Sequence, residues 1–110
     1  IAFRIIHYKP IAGSSKGKLL HGVQFYYTDY EAADITLTQF YVMQAVNRLS
    51  PEHNPFEMSK DRIGMFDKVC GTDYVRRNFS KRMEASDIID YWNKAVKKFR
   101  TLSKKKYIYK

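Results

Sequence analysis

The chain of 110 residues has a single cysteine, Cys70, which excludes an internal disulfide and any zinc ribbon or CxxC site. Its three histidines, His7, His21 and His53, match no HxxxH-type ligand spacing, so neither a metal nor a cofactor is expected. No apolar run approaches the length of a membrane-spanning helix, and no signal-peptide pattern is present. The piece is therefore expected to be soluble, with any export signal lying upstream. Acids are scarce, 11 against 20 lysines and arginines. Asp29, Glu31 and Asp34 cluster, but in a polar turn where they read as surface acids, so no catalytic residue is expected within this segment. Internal repeats and low-complexity segments are lacking too.

A chain of this size is one domain, 1–110, large enough for a core of its own yet small for an enzyme that must enclose a substrate. It starts with Ile and enters a strand-like run within two residues, which is expected of part of a longer protein. The net charge of +9 with 15 % aromatics raises a nucleic-acid reading. The cations are spread along the chain, though, and no RNP, KH or helix-turn-helix pattern is present. Lysines late in a helix also complement its dipole, so nucleic acid is not the expected partner.

The richest β-branched and aromatic stretch, Leu19 to Asp29, reads as a central strand. Alternation puts His21, Val23, Phe25 and Tyr27 on an apolar face that reads as core. Leu20, Gly22, Gln24, Tyr26 and Thr28 make a polar face suited to a ligand or a second domain. A strand with one wet face gives the same alternation, and both readings stand.

The whole chain reads as α+β, a small, mostly antiparallel sheet packed with about four helices. Strands are expected near 3–8, 19–28 and 106–109, the last formed by Tyr107, Ile108 and Tyr109 at the sheet edge. Helices are expected near 36–49, 60–70, 73–83 and 87–102. Thr36 and Gln39 have capping-box spacing, and Leu37, Phe40, Tyr41, Ala45, Val46 and Leu49 form the expected apolar side of the first helix. Pro51 and Pro55 bracket a loop. Gly71 closes the second helix, and Thr72 caps the third. The fourth carries the stripe Ile88, Ile89, Trp92, Ala95, Val96, Phe99 and Leu102, read as core. Cys70, at a helix end, reads as a small buried hydrophobe.

The order of these features resembles one bacterial family throughout. Phe3-Arg4 and Lys9-Pro10, Lys16-Gly17-Lys18, Gly22-Val23-Gln24 with Thr28-Asp29, Met65 to Asp73, Tyr91-Trp92, Phe99 and Tyr107-Ile108-Tyr109 follow in unbroken order. The set resembles the C-terminal domain of the peptidoglycan exo-β-N-acetylmuramidases, long catalogued as a domain of unknown function, in a form typical of Bacteroidetes-like bacteria. The resemblance implies the accessory, cleft-forming domain of an exported, cell-envelope glycoside hydrolase. Its partners would be a Rossmann-like N-terminal domain of the same chain, which carries the catalytic carboxylates, and the non-reducing-end N-acetylmuramic acid of a peptidoglycan fragment or muropeptide. On that reading the candidate substrate-binding residues are Gln24, Tyr26, Arg4 and His21. An amide can bridge hydroxyls or an N-acetyl group, a tyrosine offers a flat apolar surface, and an arginine can pair with a lactyl carboxylate. The competing readings are a basic nucleic-acid-binding module and a protein-interaction module.

Overall fold

The computed structural model describes residues 1–108 and divides into two compact units, the first Ile1–Ile35 and the second beginning at Thr36. The first is built on a hairpin. β1 (Ala2–Tyr8) pairs antiparallel with β2 (Leu20–Tyr26), setting Arg4 opposite Gln24, Ile5 opposite Val23, Ile6 opposite Gly22 and His7 opposite His21. Within the connecting loop the Gly17 N–H donates to the Pro10 carbonyl (2.9 Å) and the Lys16 N–H to that of Gly13 (3.1 Å). Gly13 and Gly17 both take positive φ, which glycine adopts without a Cβ clash. After β2, Asp29 opens a turn through Ala32: its Oδ1 accepts from the Glu31 and Ala32 N–H groups.

The expected core face of β2 is corrected by the structure. Val23 is 63 % exposed and Phe25 39 %, with Phe3 (69 %) and Ile5 (75 %) beside them on the same face. Alternation identifies an apolar face. It does not say that the face is covered, and a two-stranded ribbon has no further layer of its own.

The second unit is helical, with α1 (Ile35–Leu49), α2 (Pro55–Met58), α3 (Ile63–Cys70), α4 (Tyr74–Arg82), α5 (Ile89–Asn93) and α6 (Val96–Lys104). Its core is Leu37, Phe40, Val75, Phe79, Met83, Ala85 and Ile88. Phe40 is fully buried and meets Phe79, Trp92 and Phe66 edge-on, with centroids 5.3, 5.2 and 6.5 Å away. Rings at such angles gain electrostatic complementarity beyond area burial.

Several expectations shift here. α1 begins at Ile35, one residue early, so Thr36 lies inside the first turn rather than at its cap, and its Oγ1 accepts from Trp92 Nε1–H (2.9 Å). Its sheltered line runs through Leu37, Phe40, Met43, Gln44 and Asn47, while Tyr41, Val46 and Leu49 are exposed. Gln44 explains the turn of the face. Its Oε1 accepts from the Ala85 N–H (2.9 Å) and its Nε2 donates to Glu84 (2.7 Å), so a polar side chain occupies the seam. Pro51 and Pro55, expected to bracket a loop, instead each start a short helical turn, Pro51–His53 and α2, where a missing N–H is no loss. The expected helix near 60–70 begins as a tight turn over Lys60–Arg62 before α3.

The 87–102 helix is broken. A tight turn at Ala85–Asp87 precedes α5, and the chain turns again at Lys94 and Ala95 before α6. No glycine or proline marks the break, which falls where the apolar stripe leaves the core: Ile88 is buried, Trp92 half-buried, and Phe99 and Leu102 are exposed. Of the strand expected near 106–109, Lys106, Tyr107 and Ile108 are turn and coil, and Tyr109 lies outside the described residues.

The expected corner at Gly71-Thr72 is present. The Gly71 N–H bonds to the Lys68 carbonyl and the Thr72 N–H to that of Asp67, with Gly71 at φ 71°, and Thr72 Oγ1 accepts from the Tyr74 N–H. Across the corner Arg76 forks onto Asp67, Nε to Oδ1 and Nη2 to Oδ2 both at 2.8 Å. α4 ends on Met83, at φ 55° and buried. Beyond it Arg82 pairs with Asp87.

Phe40→Ala is expected to lower unfolding free energy by about 3–5 kcal/mol in urea titration, as for other buried aromatics. Leu49→Ala, at a site 85 % exposed, should stay within about 0.5 kcal/mol of the parent. Acid should also weaken the unit. The hydrogen bond from Arg76 holds the Asp67 carboxyl below its ordinary range, and that from Arg82 does the same for Asp87. A depressed folded-state value means that the stabilisation is present above the unfolded carboxylate value and is lost as pH falls through the folded one. Asp67→Asn should therefore start less stable at neutral pH and lose less on acidification below about pH 4, read as melting temperature against pH.

Candidate functional site

The hairpin register decides which candidate residues meet. Arg4 and Gln24 are cross-strand partners, and Tyr26 follows Gln24 two residues along β2, so all three share a face. Arg4 Nε–H donates to Gln24 Oε1 at 2.9 Å, and the guanidinium carbon stands 5.3 Å from the centroid of the Tyr26 ring. The arginine is thus held between an amide acceptor and an aromatic face, and its hydrogen bond to Gln24 is made through Nε–H rather than through the Nη groups. Gln24 keeps its NH2 group as a donor pair. Arg4 and Tyr26 are exposed and Gln24 is half-buried.

Gly22 lies next on this face, opposite Ile6. A Cβ there would meet Ile6 Cγ1 at 3.7 Å and Tyr8 Cε1 at 3.8 Å, ordinary contact distances. Packing within the hairpin does not demand glycine. Its absent side chain instead keeps the strip beside Gln24 low, with backbone approachable from outside.

His21 does not join the cluster. It lies on the opposite face, where its Nδ1 faces Nδ1 of His7 at 2.6 Å with the rings edge to face. In this contact one ring donates Nδ1–H and the other accepts. No third His, Cys, Asp or Glu completes a metal-holding group among the described residues. Sequence spacing gave no sign of this pair, since only the strand register sets residues 7 and 21 opposite one another.

Asp29 spends its carboxylate on its own turn, and Asp29, Glu31 and Asp34 are all exposed. Cys70 is half-buried. Burial, and then the charge of Asp67, push its thiol up, away from the thiolate that a nucleophile requires.

The geometry can be set beside known proteins. The family described as "Exo-beta-N-acetylmuramidase NamZ, C-terminal" matches residues 1–109. A curated relative, the peptidoglycan β-N-acetylmuramidase NamZ of Bacillus subtilis (strain 168), is 29 % identical over 109 residues, which are 99 % of this chain and 25 % of that protein. A crystal structure of a DUF1343 family protein from Bacteroides fragilis NCTC 9343 superposes with a TM-score of 0.90 at 43 % identity, covering 98 % of this chain and 28 % of that one. The chain thus spans about a quarter of the length of each.

The state of Cys70 can be checked directly. At pH 8 it should react with Ellman's reagent several-fold more slowly than free cysteine, and match it once the chain is unfolded in guanidinium.

Proposed function

The chain belongs to the family of C-terminal regions of NamZ-type exo-β-N-acetylmuramidases, and from that premise we propose that it is the accessory, cleft-forming domain of a glycoside hydrolase acting on peptidoglycan fragments. The acid and base of such an enzyme are two carboxylates about 5–10 Å apart. In this reading they belong to a larger, Rossmann-like N-terminal part of the same protein, and the enzyme works in the cell envelope. What this segment contributes is recognition of the terminal N-acetylmuramic acid.

The observation that carries the reading is the Arg4, Gln24 and Tyr26 cluster. An arginine already oriented by one hydrogen bond and one ring loses less freedom on engaging a carboxylate than a free side chain does. Its remaining guanidinium hydrogens suit the lactyl carboxylate that distinguishes muramic acid from N-acetylglucosamine, while the Gln24 amide suits hydroxyl or N-acetyl groups and the Tyr26 ring an apolar sugar face. His21, on the other face of the hairpin, takes no part in this contact.

The test is made in the enzyme that carries this segment. Arg4→Ala and Gln24→Ala should each lower kcat/KM for a muramic-acid glycoside about tenfold or more with unchanged melting temperature. Arg4→Ala should in addition narrow the preference for the lactyl-bearing sugar over its N-acetylglucosamine analogue. Unaltered kinetics in both variants would leave the hairpin a structural element and end this assignment.

A further inference from the structure

The break between α5 and α6 changes the meaning of the lysine-rich C-terminal stretch. In one unbroken helix these cations would lie late, where they complement the dipole. Instead Lys94 precedes α6, and Lys97 and Lys98 stand in its first turn, the pole at which positive charge is disfavoured. Residues 94–106 carry seven lysines and arginines and no acid. The helix dipole accounts for Lys104 in the last turn and for Lys105 and Lys106 beyond it, but not for Lys94, Lys97 and Lys98.

Beside these cations lies a groove of about 650 Å³, lined by Tyr91, Trp92, Lys94, Phe99, Arg100 and Tyr107 among others. Two of its rings are fixed from behind. Trp92 donates Nε1–H to Thr36 Oγ1 (2.9 Å) and abuts Phe40, while Tyr91 stacks on Tyr74 with centroids 4.0 Å apart and planes 19° from parallel. Phe99, which also lines the groove, is 69 % exposed. Flat rings held in place beside exposed cations suit a ligand with apolar ring faces and negative charge.

We propose that this groove is a second saccharide site, distinct from the hairpin cluster, which binds a carboxylate-bearing segment of a glycan strand. The choice of glycan over other polyanions rests on the family reading above. Arg100 and Lys94 engage the carboxylates, and Trp92 and Phe99 cover sugar faces. Such a site would hold the domain on the polymer while the hairpin meets a chain end, raising the local concentration of termini without itself touching the scissile bond.

Trp92 is the chain's single tryptophan, so its emission reports on the groove directly. Titrating the 110-residue chain with a peptidoglycan tetrasaccharide of alternating N-acetylglucosamine and N-acetylmuramic acid should change that emission saturably. Affinity should fall at least tenfold when the carboxylates are methyl esters, and equally in Arg100→Glu, whose exposed position leaves the circular dichroism spectrum unchanged. Arg4→Ala should not alter the Trp92 response, so the hairpin assignment and this one fail separately. No saturable response, equal affinity for the ester, or full binding by Arg100→Glu would overturn the site. A response to oligothymidylate or to phosphatidylglycerol vesicles but not to the tetrasaccharide would overturn it in favour of a nucleic acid or a lipid surface.

Discussion

The helical unit depends on the environment of one ring. Phe40 is sealed among Phe66 of α3, Phe79 of α4 and Trp92 of α5, each meeting it edge-on. Those helices are short, and helices of this length have little stability of their own in water. Their order comes from a shared apolar centre. Polar contacts then fix the directions in which they leave it: the Arg76 fork onto Asp67 across the α3–α4 corner, Gln44 and Arg48 on Glu84, and Trp92 on Thr36. Burial supplies the attraction here, and hydrogen bonds supply the geometry.

The candidate sugar contact follows a different logic. In the hairpin unit no comparable centre forms, and the arrangement rests on backbone pairing. Its one-residue precision is what matters: with Arg4 opposite Gln24, arginine, amide and Tyr26 ring share a face, whereas a slip by one would send Arg4 to the other side. Charge, amide and ring are available on many surfaces. Here the register brings arginine and amide into a hydrogen bond beside the ring, in a chain of the NamZ C-terminal family.

What could be read from residues alone followed from whether a local signal decided the outcome. Gly71 and Thr72 carry their own geometry, so that corner was legible, as were the α+β class and the antiparallel hairpin. The family was legible from the ordered motifs, and the match over residues 1–109 agrees with it. The meeting of Arg4 with Gln24 was not, because register is set by a loop whose turns do not announce their length. The break at Lys94–Ala95 was invisible for another reason. The apolar period continues through it, and only the loss of a packing partner beyond Trp92 distinguishes its two halves. The prolines at 51 and 55 misled because proline marks a helix start as readily as a loop boundary. The apolar side of α1 was misread through Gln44, whose partners lie some 40 residues away.

Met83 shows two demands on one position pulling apart. Its backbone is left-handed, a conformation that costs a residue with a Cβ about 1–2 kcal/mol and glycine almost nothing. Its side chain, however, is buried in the core, where removing a methionine costs about 2–5 kcal/mol. The larger figure decides the identity, and the position retains a strained backbone in exchange for a filled interior. An unbranched Cβ keeps that strain tolerable, so valine and isoleucine are barred here more firmly than leucine, although both are as apolar as the residue they would replace.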